Sequence, residues 1–449
     1  MSKQRIQLSD HFTYSRLLRF VLPCIGTMLF TSIYGIVDGL CVSNFVGKTA
    51  FAAVNLIMPL PMLLGTIGFM LGTGGSAIVG ITLGEGDQKK ADRYFTLFLL
   101  AALVSVSVLA VLGIVFLRPI AVLLGAKGEL LDYAVRYGRI LMVSLPTFAL
   151  QNMFQSFFVT AEKPHLGFWF TVGAGCTNMV LDVLMVGVWG WGVEGAAIAT
   201  FISQLVGGVL PVFYFIDRSN TSRLHLCQTS FYSKVLRDAC INGSSELMTN
   251  LSMSLVNILY NYQLLRLAGE NGVAAYGVIM YAAFLFVAVF VGYAVGSAPI
   301  VSFHYGARNH AEVHNLYRKS LRLIAVVAVT LTLASMFIIP CVARIFVGYD
   351  AELLALTSRA FRLYALSFLI MGFNVYASSF FTALGDGVTS ALISFLRTLL
   401  FQLAALLLLP ALWGIDGVWL AVTAAELAAL AVSVYMFVTK DQKFHYRHV

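Results

Sequence analysis

The sequence predicts an all-α membrane protein in which twelve transmembrane helices form two parallel six-helix lobes. Hydrophobic residues make up 59% of the 449 residues and charged residues only 11%, against about 25% charged residues in ordinary soluble domains. The apolar residues fall into runs near the length of roughly 20 residues that spans a bilayer. Short motifs also recur at a fixed distance along the chain, which indicates an internal duplication.

Each apolar run is long enough for one membrane crossing. The runs cover approximately 14–40, 50–78, 94–117, 132–155, 166–187, 193–216, 238–262, 272–298, 316–340, 355–380, 388–410 and 416–438. Several contain Gly or Pro, which helices in lipid tolerate because neighbouring groups satisfy the freed backbone. The polar stretch from Ser2 to Asp10 precedes a long first run, so we expect a retained first helix and not a cleaved signal peptide.

Lys and Arg cluster in alternate loops. The clusters are Lys3, Arg5, Arg16 and Arg19; Lys89, Lys90 and Arg93; Arg218, Arg223, Lys234 and Arg237; Arg308, Arg318, Lys319 and Arg322; and Lys440, Lys443 and Arg447. Because cytoplasmic loops carry an excess of basic residues, we expect these loops and both termini in the cytoplasm. This distribution accounts for the net charge of +8, and we expect no nucleic-acid partner.

The duplication relates the two lobes at an offset of 222 residues. The repeated features are Trp191-Gly192-Val193-Glu194-Gly195 with Trp413-Gly414-Ile415-Asp416-Gly417, Gly74 with Gly296, and Gly84 with Gly306. Six helices precede the repeat, so both halves begin on the same side of the membrane. We therefore predict an N-terminal lobe at 1–216, a cytoplasmic linker at 217–237 and a C-terminal lobe at 238–449. Duplicated halves are typical of secondary transporters, which bind substrate where the repeats meet.

Three carboxylates and one amide lie within apolar runs. Asp38 follows the run from Phe20 to Val37, Asn178 and Asp182 are one helical turn apart, and Glu246 lies near the start of the seventh helix. A charged carboxylate at the bilayer centre costs about 2.5–3.5 kcal/mol on insertion scales, and such residues are usually functional. They could carry a proton, or their oxygens could replace the hydration shell of Na+.

We expect the set Asp38, Asn178 and Asp182 to belong to one half only. At the repeat offset, Asp38, Asn178 and Asp182 correspond to Tyr260, Leu400 and Ala404. Arg397 lies inside the eleventh run, where its role stays open between pairing and snorkelling. The sequence has no phosphate-binding G-x-x-x-x-G-K-[ST] motif and no recognisable Ser-His-Asp or Cys-His set. We therefore expect neither an enzyme nor a cofactor other than the coupling ion.

Several stretches of the chain resemble the multidrug and toxic compound extrusion (MATE) family, and the resemblance covers essentially the whole chain. They are Val37-Asp38-Gly39, Gly74 to Ala77, Leu83 to Asp87 and Trp191 to Thr200. The resemblance implies a cation-coupled exporter whose two lobes form a V-shaped cavity. A cation or proton site in the N-terminal lobe of that family matches Asp38, Asn178, Asp182 and Thr200.

Three further matches follow from the resemblance. Pro23 matches a first-helix proline associated with bending, and Glu246 matches a seventh-helix acid that some members use as a second site. Some members also carry an Asp in the tenth helix, where this chain has Asn374. That departure favours coupling in the N-terminal lobe.

These observations predict a monomeric antiporter in the cell membrane that exports amphipathic, often cationic compounds in exchange for H+ or Na+. Aromatic and Met side chains suit promiscuous binding, although each one equally fits core packing. The expected cavity residues are Tyr34, Tyr137, Met153, Phe154, Tyr260, Met280 and Phe284. The alternatives are a lipid-linked oligosaccharide flippase, which would need Arg and Lys in its cavity, a membrane-embedded enzyme, and a non-transporting receptor.

Overall fold

The computed structural model describes residues 6–46, 48–348 and 350–446, and these residues are helical, with no strand. The first half contains α1 (Tyr14–Phe45), α2 (Lys48–Ile57), α3 (Pro59–Gly84), α4 (Gln88–Leu123), α5 (Glu129–Thr160), α6 (Pro164–Asp182), α7 (Gly192–Gln204) and α8 (Leu210–Ile216). The second half contains α9 (Ser233–Asn242), α10 (Ser244–Gly306), α11 (His310–Val347), α12 (Ala351–Ala365), α13 (Phe368–Ala383), α14 (Gly387–Phe395), α15 (Phe401–Trp413), α16 (Ile415–Thr439) and α17 (Asp441–Phe444). Three π-helical turns interrupt these helices at Val183–Val188, Leu205–Val209 and Leu396–Leu400.

The described residues contain nine helical segments that are long and apolar enough to cross a membrane when α10 is counted once, or ten when α12 and α13 are also joined across their 47° bend. Helix α5 has 32 residues, but Asp132, Arg136 and Arg139 make its first turns polar. The predicted all-α membrane fold is therefore confirmed. The number of twelve crossings stays a prediction.

Helix α10 is a hairpin of two antiparallel arms. Gly269 interrupts its 63 residues with φ 61° and ψ −150°, a backbone conformation that glycine adopts without steric cost. The chain reverses there, because the rings of Tyr260 and Tyr276 stack with centroids 4.9 Å apart. The Tyr276 hydroxyl also donates a hydrogen bond to Asn257 at 2.6 Å. The two arms, 244–268 and 270–306, therefore correspond to the seventh and eighth predicted helices.

The second arm of α10 packs against α1 and α3, where the two halves meet. These contacts occur in pairs that follow the 222-residue repeat. In the first pair, Gly84 lies against the backbone at Phe303 and Gly306 lies against the backbone at Ile81. In the second pair, Gly74 lies against Gly243 and Gly296 lies against Val21. Small residues allow such close approach of membrane helices. The halves thus meet about a pseudo-two-fold axis, as the duplication predicts.

The segment before α1, residues 6–13, ties the two halves together on one face of the molecule, and we call it the N-terminal strap. Leu8 and Phe12 are fully buried. The backbone N–H of Leu8 donates to the Glu162 carboxylate at 2.9 Å, and that of Phe12 donates to the Glu312 carboxylate at 2.8 Å. Glu162 lies between α5 and α6, whereas Glu312 lies in the first turn of α11.

The connection between the halves packs against the same face. Its non-helical part lies between the end of α8 at Ile216 and the start of α9 at Ser233, so it ends five residues before the predicted linker end. Arg223 donates to the Glu162 carboxylate at 2.6 Å, which links the connection to the strap. The predicted lobe boundaries themselves stay a prediction.

Candidate functional site

One face of α6 brings the polar residues of the first half into its interior. The buried residues Thr171, Gly175, Asn178 and Asp182 recur at spacings of three or four, which places them on one stripe of a helix. Asn178 is 2% exposed and Asp182 is 0% exposed. The carboxylate therefore faces protein and not lipid, as expected of a functional charge in a membrane.

Helix α6 ends at Asp182 and continues directly into the π-helical turn Val183–Val188. Such turns are rare, and they occur frequently at functional sites. The side-chain amide nitrogen of Asn178 has no hydrogen-bond partner among the described residues. A buried donor in that state costs about 1–3 kcal/mol. This part of α6 therefore combines a backbone irregularity with buried polar groups.

Helix α1 runs parallel to α6 and packs along it. Contacts between the two helices advance together along both chains: Gly26 with Phe168, Phe30 and Tyr34 with Gly175, and Phe45 with Gly187. The register places position 38 beside the segment 178–182. The backbone of Asp38 belongs to α1, and its side chain lies outside the part of the chain that the structure describes.

The other predicted coupling residues lie on neighbouring helices. Thr200 is half-buried on α7, which packs against α6, and its carbonyl accepts a hydrogen bond from Ser203 at 2.8 Å. Pro23 is buried within α1. Glu246 is half-buried in the first turn of α10 and has no ion-pair partner within 4.0 Å among the described residues.

The structure does not gather the predicted cavity residues around one space. Met153 and Phe154 are fully buried in an aromatic core, where Phe154 stacks on Phe215 at 5.5 Å between ring centroids. Tyr137 belongs to a separate core. Tyr260 is 2% exposed in the α10 hairpin.

The remaining three cavity candidates are more accessible. Tyr34 and Met280 are half-buried, and Phe284 is 48% exposed. Tyr34 packs over Gly175 of α6 together with Phe30. Of the seven residues, Tyr34 is thus the one that adjoins the polar stripe, and the cavity assignment stays a prediction.

The second half contains a buried ionic network. Glu426 of α16 is 0% exposed; one of its oxygens accepts a hydrogen bond from Arg397 Nε at 2.8 Å and the other from Asn374 Nδ2 at 2.7 Å. The hydroxyl of Ser433 donates to Asn374 Oδ1 at 2.9 Å. Arg397 therefore has a pairing role and does not snorkel.

This network adds a buried carboxylate, Glu426, to the three acids identified from the sequence. Asp38 and Asp182 have no acidic counterparts at the offset of 222 residues. An acid at any other position of the second half does not appear in such a comparison. Glu426 lies alone among the uncharged residues 417–438. An isolated charge in an apolar run was the signal that predicted Asp182, and it marks Glu426 equally well.

A sequence model of the MatE family matches residues 23–184 and 247–406, one segment in each half. The chain belongs to the MatE family. The match includes Asn178 and Asp182 and confirms the family that the sequence resembles. It places Glu426 beyond the second matched segment.

Known proteins that resemble this MatE chain cover it almost completely. The "Multidrug export protein MepA" of Staphylococcus saprophyticus is 21% identical over 435 residues, which are 96% of this chain and 94% of that protein. The protein of the same description from Staphylococcus aureus strain MSSA476 is 22% identical over 432 residues, with the same coverage of 96% and 94%.

Solved structures show the same fold. A MATE crystal structure in complex with MaL6 has a TM-score of 0.92 at 22% identity and covers 99% of this chain and 100% of its own. The outward-facing conformation of a multidrug resistance MATE transporter also has a TM-score of 0.92 at 22% identity, with 99% of each chain covered. The two-lobe helical architecture is therefore that of MatE proteins, whereas the individual site residues stay predictions.

Proposed function

We propose that this MatE protein is a secondary antiporter that exports amphipathic, cationic compounds in exchange for H+ or Na+. Relatives described as multidrug export proteins support an export role, and duplicated halves are typical of secondary transporters. These relatives do not favour the flippase alternative. The observation that carries the coupling proposal is the fully buried Asp182 on the inner stripe of α6.

The proposed coupling site consists of Asp38, Asn178, Asp182 and Thr200, and Glu246 is a possible second acid. A proton or Na+ bound there would neutralise Asp182 and remove the free-energy cost of its buried charge. Loading and release would then favour different packing of α1 against α6. The parallel register of these two helices supports this arrangement, because it places position 38 beside 178–182.

Helix α1 is suited to pass this change to the other half. It contacts both α6 and α10, and a proline in its interior removes one backbone hydrogen bond and favours a bend. The Thr27 hydroxyl donates to the carbonyl of Pro23 at 2.9 Å. We propose that bending at Pro23 changes the contact between the halves and releases substrate from a cavity between them.

Several aspects of the setting belong to the same proposal. We propose that the protein is a monomer in the cell membrane, with both termini and the 217–237 linker in the cytoplasm. The basic clusters support this orientation through the excess of Lys and Arg in cytoplasmic loops. The cavity would accept apolar rings and a positive charge, and Tyr34, which adjoins the polar stripe, is the residue best placed to sense the coupling ion.

The central experiment measures efflux of a fluorescent organic cation from proteoliposomes that are energised separately by a pH gradient and by a Na+ gradient. We expect one of the two gradients to drive efflux by the wild type. In Asp182→Asn, that gradient should no longer increase the rate of efflux. Asp132→Asn, which changes an exposed residue of α5, is the matched control and should behave as wild type. Gradient-driven efflux at the wild-type rate in Asp182→Asn would reject the proposed site.

A second comparison separates the two candidate acids. Drug affinity of the wild type should depend on pH or Na+, and Asp38→Asn should remove that dependence while Glu246→Gln retains it. The opposite result would assign the coupling ion to Glu246 and to the second half.

A further inference from the structure

The ionic network of the second half is closed by its own side chains. The side chain of Arg397 is 14% exposed and that of Glu426 is 1% exposed, and each oxygen of the carboxylate has a hydrogen-bond partner. Removing both charges from water costs several kcal/mol per ion, and the pair can offset this only with good geometry and further hydrogen bonds. Asn374 supplies such a bond and is itself 0% exposed. The carboxylate is thus neutralised without any ion from outside.

The duplication shows that the scaffold does not need these charges. At the offset of 222 residues, Asn374, Arg397 and Glu426 correspond to Asn152, Gly175 and Gln204. Asn152 and Gln204 are also buried, and the space over Gly175 is taken by rings from α1. The first half therefore folds with two neutral amides where the second half has an amide and a carboxylate. A charged pair at this position has to be explained by function and not by the fold.

The network lies where the helices are irregular. Arg397 belongs to the π-helical turn Leu396–Leu400, and Asn374 lies on α13, which is bent by 47° relative to α12. The neutral groups Asn374 and Ser433 are hydrogen-bonded in a chain that ends at Glu426. Irregular turns in membrane helices are frequent at functional sites.

We propose that Arg397 is a built-in cation that permanently fills a site at Glu426, a site which would otherwise bind a proton or a monovalent metal ion. A buried carboxylate can take up a proton, and its oxygens are the type of ligand that hard metal cations bind. The inference rests on the proposed antiport function, because it states that the exchanged ion does not load at Glu426. The second half then moves through the transport cycle with a fixed internal charge balance.

The decisive variant removes the guanidinium and keeps the carboxylate. In Arg397→Gln, Glu426 should need an external cation, so efflux should depend on H+ or Na+ more steeply, with a Hill coefficient rising from one toward two, the number of sites. The double variant Arg397→Gln/Glu426→Gln should return to the wild-type dependence, because it reproduces the neutral pattern of the first half. Arg397→Lys keeps the charge and should behave as wild type.

A binding measurement tests the same inference without transport. The unfolding temperature of purified Arg397→Gln protein should rise as Na+ is added or as the pH is lowered, because a bound cation stabilises the state that binds it. The rise in unfolding temperature should be larger in Arg397→Gln than in the wild type, and the double variant should show only the wild-type rise. If Arg397→Gln shows the wild-type response in both assays, or if the double variant loses gradient-driven efflux, Arg397 is not a built-in cation.

The two proposals fail in different ways. If wild-type protein shows no gradient-driven efflux, the antiport proposal is wrong, whatever the unfolding temperatures show. If the wild type is coupled and the Arg397→Gln protein gains no cation-dependent stability, only the inference about Arg397 is wrong. If Arg397→Gln does not fold, Glu426→Gln alone should leave the number of coupling ions unchanged, and a fall in that number would overturn the inference.

Discussion

Replacing Gly292 by Ala should separate the two halves at the contact between α1 and α10. A methyl group at this position would lie 2.5 Å from Cα and 2.9 Å from the backbone nitrogen of Ile25, whereas ordinary contacts lie at 3.4–4 Å. The obstacle is backbone, so no side-chain rotation can relieve it, and α1 must move outward by about 1 Å. Overpacking of this kind costs about 1–3 kcal/mol.

Gly277→Ala is the matched control, because it makes the same change in the same arm of α10 where no atom lies within 4 Å. Both variants gain the preference of alanine over glycine in a helix, up to about 1 kcal/mol, so their difference isolates the clash. We expect the unfolding temperature of Gly292→Ala in detergent to lie clearly below that of Gly277→Ala, and its efflux to be slower. Equal unfolding temperatures would refute the packing argument.

Three further predictions concern the ends of the helices. On a background without native cysteines, a cysteine at Lys127 should react with an impermeant reagent from outside and a cysteine at Ser219 should not; the reverse would overturn the topology. Burial alone would raise the pKa of Asp386, but hydrogen bonds from the first turn of α14 and the ion pair with Lys440 at 3.1 Å lower it overall. That stabilisation is present above the ordinary pKa and is lost as the pH falls through the lowered one. Because Asn caps a helix as well as Asp does, Asp386→Asn removes the charge and its pair with Lys440, and it should cost about 0.2–1 kcal/mol at neutral pH and nothing at the acidic limit. Thermal unfolding across pH checks this, and a constant difference would contradict it. Glu312→Ala should speed amide exchange in the N-terminal strap at least about tenfold, since a hydrogen bond to a charged group contributes about 1.5–3 kcal/mol; unchanged exchange by mass spectrometry would show that the bond is not needed.

The helices were largely predictable because membrane helices depend on a long apolar run, which is a local property. The exact course of the backbone could not be predicted in this way. The charged residues Arg266 and Glu270 end the apolar runs on either side of the α10 turn, yet the backbone remains helical up to Gly269. The hydropathy of a residue reflects how readily its side chain is buried in lipid, whereas the end of a helix depends on the hydrogen bonds of the backbone. The π-helical turns have no comparable signal, because they follow from packing between helices.

The candidate site was predictable where a single charged residue interrupts an apolar run. Asp182 stands out in its run, and the structure buries it completely. The pairing of Arg397 with Glu426 joins residues on different helices, so neither run alone reveals the partner. The role of Asn374 likewise depends on its contact with Glu426. Such partners become visible only when the helices are placed side by side.

The N-terminal strap also has a fixed length. The amides of Leu8 and Phe12 are four residue steps apart along the chain, and they are bonded to Glu162 and Glu312 in different halves. An extended chain advances at most about 3.3–3.6 Å per residue, so these two amides can be no more than about 14 Å apart. A movement that carries the two carboxylates beyond the reach of the fully extended strap must first break one of the bonds. The strap thus sets the widest gap that this face can reach while intact, and inserting residues between Leu8 and Phe12 would widen that gap without altering either half.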